Sequence, residues 1–390
     1  PYLLCMSLVA LMSGVLNTLG KFVESSSVSI VLNMVLSLAM LLTIWLDLRG
    51  EPSAGYVQAW GVFLAGVLQL LLLIWGLKRN NVALGFSRVL WTDDVKKLVL
   101  LGIPGVISGG ITQINIAIGT MIASLQEGAV SHLYYADRLY ELPLAIVGIA
   151  IGVVLLPDVS RHLRAGDHMA VMESQNRSFE FAMLLTLPAT VGLFVIPTEI
   201  VSILFERGVF TSKDTFYTAE ALRFFALGLP AFVLIKVFSP AFFARQDTKT
   251  PMKYAGWSLT ANTLGSVGLF FLFRTLGWMP HLGIAVATTI GGWMNAVLLY
   301  QGLKMRGHYS VDIRLKKTLP RIVLSSLIMG AVLYLCALPV KDVLKALPSA
   351  PMQFLILMGL VAIGMLSYVG ALLVTKAATP QQFRAIAKRA

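Results

Sequence analysis

The sequence predicts an all-α polytopic membrane protein, and three observations carry that prediction. Of its 390 residues 57% are hydrophobic and 13% charged, with a mean hydropathy of +0.79, whereas soluble domains carry about 25% charged residues. Apolar stretches long enough to cross a bilayer, which takes about 20 helical residues, recur eleven times. Finally, Lys and Arg alternate from link to link. The odd-numbered links and the tail hold 22 of them and the even-numbered links hold six. By the positive-inside rule the richer set is cytoplasmic, the first segment runs inward and the C-terminus is cytoplasmic. The net charge of +12 therefore reports topology, and no nucleic-acid partner is expected.

The first three segments, Tyr2 to Leu19, Val28 to Leu46 and Tyr56 to Leu77, are plain apolar runs. A basic link follows, in which Leu84 to Val99 mixes apolar and charged residues and reads either as a helix lying at the interface or as a solvated loop. The fourth segment, Leu98 to Leu125, is uncharged but holds Gly102, Pro104, Gly105, Gly109 and Gly110, then Thr112, Gln113, Asn115 and Thr120. Such residues suit a bent helix whose backbone is satisfied by protein or a wet cavity, or close helix packing through small residues.

The fifth segment, Val130 to Leu156, contains Asp137, Arg138 and Glu141. A charge near mid-membrane costs about 2.5 to 3.5 kcal/mol on insertion scales, so such residues ordinarily face a protein interior or an aqueous cavity. Arg138 and Glu141, three apart, share a helix face and can pair. Pro143 frees the carbonyl of Leu139 and is expected to bend the helix one turn on. Tyr134, Tyr135 and Tyr140 surround the triplet as a hydrogen-bonding and stacking wall. The alternative is that Arg138 lies two turns inside the outer surface and snorkels.

The sixth segment runs from Phe179 to Ile196. Beyond it Pro197 to Thr215 carries EIVSILF at helical spacing, then Arg207-Gly208, and reads as a short amphipathic rim helix closed by a glycine. The seventh, Thr218 to Phe243, holds Glu220 and Arg223 as an i to i+3 pair and Lys236, which suits either snorkelling or a cavity. Tyr254 to Phe273, Leu282 to Leu303, Ile322 to Leu338 and Phe354 to Thr375 complete the series. Gly14 to Asn33 and Ala241 to Asn262 share an inward helix, a short basic turn and a following Asn, the trace a duplicated bundle would leave.

Enzyme signatures are absent: no GxSxG, HExxH, P-loop or GxGxxG with an acidic partner occurs. The five histidines, His132, His162, His168, His281 and His308, look unclustered, and Asp93-Asp94 beside Lys96-Lys97 reads as a solvated charged face. Cys5 and Cys336 lie in apolar segments and imply neither a disulfide framework nor a metal site. Pro1 is no translation start and the chain opens inside an apolar segment, so upstream sequence is expected.

The runs SHLYYADRLYELPLAIVGIAIGVVLLPDVSR (131–161), ILFERGVF (203–210), KVFSPAFFARQDTKTPMK (236–253) and HLGIAVATTIGGWMNAVLLY (281–300) closely resemble the MurJ/MviN family of lipid II flippases. The resemblance implies a fourteen-helix, two-lobe fold of the multidrug/oligosaccharidyl-lipid/polysaccharide flippase superfamily, with the eleven segments matching helices four to fourteen. Residues 1–78 would then be the last three helices of the N-lobe and 79–97 a cytoplasmic linker. Residues 98–304 would form a six-helix C-lobe, and 305–390 a cytoplasmic link, two additional helices and a basic tail. The family's first inner turn has two spaced prolines where Ser25 and Ser29 stand here.

The resemblance implies that Arg138 and Glu141, with Asp137 beside them, line the substrate cavity; Gln113, Asn115, Tyr135 and Lys236 are further candidates. The expected substrate is lipid II, a disaccharide pentapeptide on undecaprenyl diphosphate, carried from the cytoplasmic to the outer leaflet of a bacterial inner membrane by alternating access. Membrane lipids and the cell-wall synthesis machinery are expected partners. No cofactor is expected; a coupling ion would drive transport, or the membrane potential at about 2.3 kcal/mol per charge per 100 mV. The rival readings are an exporter of another lipid-linked oligosaccharide, an ion-coupled drug antiporter, and an enzyme acting on the same lipid. Arg138 argues against a cationic-drug site, and scattered Glu206, Asp214 and Asp342 against the enzyme.

Overall fold

A computed structural model describes residues 1–48, 51–80, 82, 92–93, 95–96, 113–346 and 350–377. The suggested interfacial helix at 84–99 and the glycine-rich start of the fourth segment fall largely outside these residues. The described residues are helical throughout, joined by turns, and the chain divides into two compact units, 1–100 and 101–390.

In the first unit α1 (Tyr2–Thr18), α2 (Phe22–Trp45) and α3 (Pro52–Arg79) pack through small residues. Gly20, at φ +72°, makes the tight turn between α1 and α2, and the Lys21 amide donates to the Leu16 carbonyl at 2.9 Å. Helix α2 thus begins at Phe22, and its first turns accommodate Ser25 and Ser29 as ordinary helical residues. On α3 a Cβ at Gly66 would lie 2.7 Å from the Tyr2 ring. Gln69 is buried because its amide donates to the Val28 carbonyl at 2.8 Å, which satisfies a polar group among apolar helices.

The second unit holds α4 (Gln113–Ala123), α5 (Ala129–Arg164), α6 (His168–Val195), α7 (Pro197–Phe205), α8 (Ser212–Phe243), α9 (Lys249–Thr275), α10 (Pro280–Met305), α11 (Ile313–Ala346) and α12 (Ala350–Val374). Helix α8 is the axis of this unit. It packs on α5, α6, α7 and α10, and most of its apolar residues are buried. Its side chains join both large cores, one around Val237, Phe238 and Phe242, the other around Leu222, Phe225 and Leu229. Helix α9 lies along α10, and the α11–α12 pair packs on α6 and α7.

Seven described helices (α2, α3, α6, α8, α10, α11 and α12) are long and apolar enough to cross a membrane. Helices α5, of 36 residues, and α9, of 27, have the length; α1, of 17, and the described α4 are shorter. Observed boundaries overrun the apolar segments. Helix α6 begins at His168, eleven residues before Phe179, because its polar first turns have partners. The Asn176 amide donates to the carbonyls of Met172 and Ser310, both at 2.9 Å, and its oxygen accepts from the Tyr309 hydroxyl and the Asp312 amide. Arg177 pairs with Glu180 and Asp312, and Arg314 donates to Glu180 at 3.2 Å. The segment joining α10 to α11 is thereby fastened to α6.

Helix α5 stays helical through Pro143 and Pro157. The rim helix α7 forms as expected but ends at Phe205; Gly208, at φ +61°, makes the turn after it. Glu220 and Arg223 pair at 2.5 Å. Cys5 and Cys336 are both free thiols, and Cys5 is buried.

Candidate functional site

Helix α5 presents two chemically different faces near its start. On the exposed one the Arg138 guanidinium donates to Glu141 at 2.8 Å and lies 4.8 Å from the centre of the Tyr134 ring. The Arg138 side chain is 55% exposed and that of Glu141 44%. The cation is thus oriented by a carboxylate one turn on and an aromatic ring one turn back, with its other N–H groups free to donate. Leu142 and Ile146 continue this face as exposed apolar residues. The opposite face is buried against α8, where Ala136 is fully enclosed and Tyr140 stacks on Phe225 at 5.4 Å between centroids.

Asp137 connects the two faces, since its carboxylate accepts a hydrogen bond from the Tyr140 hydroxyl while lying between Arg138 and Glu141 in the field of both. Tyr140 in turn forms part of the wall of a cavity of about 1070 Å³ bounded by α8, α9 and α10. Among the described residues this wall includes three amides, Asn115, Asn262 and Asn295, with Ser239, Ser258 and Thr288, and Lys253.

Most of these polar groups are already engaged. Asn115 accepts from the Thr263 hydroxyl at 2.6 Å, Asn262 from Ser266 and Thr288, and the Ser258 hydroxyl donates to the Gly291 carbonyl at 2.5 Å. The Asn295 oxygen is buried without a partner among the described residues. Gly291 and Gly292 keep the wall thin: a Cβ at Gly292 would come within 3.0 Å of the Phe232 ring.

Of the sequence candidates, Asp137, Arg138 and Glu141 form one cluster, and Asn115 lies on the cavity beyond it. Gln113 is exposed on the first turn of the described α4 and is not among the cavity residues. Tyr135 packs in an aromatic group with Phe205 and Phe210, beneath the rim helix. Lys236 is exposed on α8, its methylenes crossing Gly148 of α5, where a Cβ would meet them at 2.5 Å. That is the packing of a snorkelling lysine.

The expectation that the histidines are scattered is wrong for two of them. His132 and His281, both buried, have ring centroids 5.9 Å apart. His132 Nε2 lies 2.9 Å from Asp214 Oδ1, and its ring stacks on Tyr217. The His281 amide donates to Gln126 Oε1 at 2.9 Å, and the Gln126 amide nitrogen reaches His281 Nδ1 at 3.1 Å. His281 Nε2 reaches the Tyr217 carbonyl at 3.1 Å, so Nε2 carries the proton and Nδ1 accepts. These residues start α5, α8 and α10, three helices whose N-termini the alternating topology puts on the same side. First-turn positions were the available signal; sequence distance hid it.

Basic and acidic groups outside the spans also form built contacts. Asp247, between α8 and α9, is held near pKa about 2 by the hydroxyl and amide of Thr250 and by Arg306, whose guanidinium donates to it at 2.6 Å. Burial, with Arg245 and Arg306 nearby, lowers the His308 imidazole, and burial raises the Tyr309 phenol.

Comparison with known proteins gives a consistent result. A family model described as lipid II flippase MurJ matches residues 1–346. A probable lipid II flippase MurJ of Rhizobium meliloti (strain 1021) is 44% identical over 372 residues, covering 94% of this chain and 68% of that protein. A probable lipid II flippase MurJ of Rickettsia prowazekii (strain Madrid E) is 36% identical, over 86% of this chain and 64% of its own length. A solved structure described as lipid II flippase MurJ in an inward closed conformation aligns with a TM-score of 0.72 at 24% identity, covering 95% of this chain and 71% of the other; this is a likeness of fold. The chain spans about two thirds of the length of the curated relatives it matches.

Proposed function

The chain belongs to the MurJ family of lipid II flippases, and on that premise we propose that it carries lipid II from the cytoplasmic to the outer leaflet of a bacterial inner membrane, with Arg138 receiving the diphosphate. The observation that carries this reading is the Arg138–Glu141 pair, exposed on a helix that is otherwise apolar for the next four turns.

A guanidinium in this position has a specific chemistry. It can place two parallel N–H donors on a pair of phosphoryl oxygens, a geometry lysine cannot reproduce. Glu141 holds the guanidinium when no substrate is present and can be exchanged for phosphate without leaving a bare cation. Tyr134 adds a cation–π contact of about 0.5 to 1 kcal/mol, appropriate to an exposed site. Asp137 and Tyr140 position the turn that bears Arg138 against α8. An amide-rich wall behind them suits a sugar headgroup, whose hydroxyls both donate and accept.

The lobe assignment follows the same reading. Residues 1–78 supply the last N-lobe helices, 79–97 a cytoplasmic linker, 98–304 the C-lobe and 305–390 the link, the additional helix pair and a cytoplasmic tail. Transport proceeds by alternating access, the headgroup crossing while the polyprenyl tail stays in lipid.

The test is complementation by the full-length protein in cells depleted of their flippase, scored by lipid II accessibility at the outer surface. Arg138→Ala should lower flipping at least tenfold, with Arg138→Lys intermediate. Wild-type flipping by the Ala variant overturns the diphosphate role. Failure of the wild-type protein to rescue, despite correct insertion, transfers the reading to another lipid-linked oligosaccharide.

A further inference from the structure

Beyond the transport site, the second unit carries a smaller cleft of about 340 Å³ between α6, α8, α10 and α11. We propose that it holds one acyl chain of a resident anionic phospholipid whose phosphate rests on Lys316. This lipid is distinct from the transported one and goes beyond the flippase reading.

The cleft is apolar along its length. Leu234 and Phe238 of α8 form its floor, and Trp293, Val297 and Tyr300 of α10 one side. Trp293 and Tyr300 are seven residues apart on a helix, about 10 Å along its axis. The Trp293 indole N–H is already satisfied by the Leu227 carbonyl at 2.9 Å, so the ring offers only hydrocarbon to the cleft. Trp293 is 40% exposed and Val297 44%, so the cleft opens sideways on helices that cross the membrane. The surrounding medium there is lipid, and a void among such helices loses the dispersion contacts a chain would supply.

Charge decides which lipid. At the end of the cleft nearest the α10–α11 link stands Lys316, exposed and lining the opening. Its ammonium makes no ion pair or hydrogen bond among the described residues, whereas the nearby arginines are engaged: Arg177 with Glu180 and Asp312, Arg314 with Glu180, Arg306 with Asp247. An unpaired ammonium at the mouth of an apolar cleft stands where the phosphate of a phospholipid would lie with one acyl chain in the cleft. A basic residue at a bilayer surface favours anionic over neutral lipid.

The experiment is native mass spectrometry of the full-length protein, titrated from detergent with phosphatidylglycerol or chain-matched phosphatidylcholine, and separately with glycerol phosphate. Phosphatidylglycerol should be retained about fivefold more tightly than phosphatidylcholine. Lys316→Gln should abolish that preference while leaving phosphatidylcholine retention unchanged, and Val297→Trp, on the exposed rim, should weaken both lipids. Glycerol phosphate should not displace phosphatidylglycerol. Equal retention of the two lipids by wild type, insensitivity to both variants, or displacement by glycerol phosphate would each overturn the proposal.

Discussion

At the scale of single residues, the molecule separates cations that are spent from cations that are available. Arg177, Arg306 and Arg314 are tied to carboxylates on neighbouring elements, while Arg138 is tied only to a carboxylate on its own helix, which can release it without disturbing the fold. The Arg306–Asp247 pair shows the spent kind. The Asp247 pKa, depressed to about 2 from about 3.9 in an unfolded chain, means the carboxylate's contribution is complete above pH 4 and is lost as pH falls toward 2. Asp247→Asn should therefore speed amide exchange at 247–250 at pH 7, by an amount equivalent to about 0.5 to 1 kcal/mol for a largely solvated pair, and the difference from wild type should shrink between pH 4 and pH 2. The charged triplet was legible in the sequence because i to i+3 spacing in an apolar run fixes a pair without knowledge of the fold. The His132–Asp214–His281 group was not, because its members are 67 to 149 residues apart and only tertiary packing unites them.

At the scale of elements, glycine governs how closely helices approach. On α10 a Cβ at Gly283 would lie 2.6 Å from the Leu269 carbonyl carbon and 2.7 Å from the Phe270 nitrogen of α9, and backbone cannot step aside as a side chain can. Gly283→Ala should cost about 1 to 3 kcal/mol by overpacking, read as a lowered thermal transition. Gly268→Ala, in open space on α9, should change it little. Apolar length alone revealed that the helices exist. Their ends were less legible: α6 extends back through Asn176 and Arg177, polar residues that a hydropathy reading assigns to a link and that helix α6 retains because the α10–α11 segment supplies partners. The tyrosines divided in the same way. Tyr140 stands on the cavity and Tyr135 in a rim cluster, a difference of five helical positions whose meaning depends on what α7 and α8 place opposite.

At the scale of the whole molecule, the α11–α12 pair is joined to the rest of its unit by two kinds of fastening: the Tyr368 hydroxyl on the Leu184 carbonyl at 2.7 Å, and the polar group around Glu180 at the α10–α11 link. Glu180→Ala leaves Arg177 and Arg314 facing each other without their shared carboxylate. Spin labels on exposed positions of α6 and α11 should then report a broadened distance distribution, with α8–α10 distances unchanged; an unchanged α6–α11 distribution would show that apolar packing alone sets the docking. The helix order was legible from the alternation of apolar segments and basic links. The docking of the pair on α6 was not, since no periodicity in α11 or α12 names its partner. Asn176 carries a consequence for how the chain tolerates change. Its single amide group reads four backbone and side-chain positions, three of them within 309–312. A turn measured in this way has one permitted length, so an insertion at 309–312 would unseat the whole docked pair, whereas an added residue beside Gly166, which meets nothing within 4 Å, would be absorbed locally.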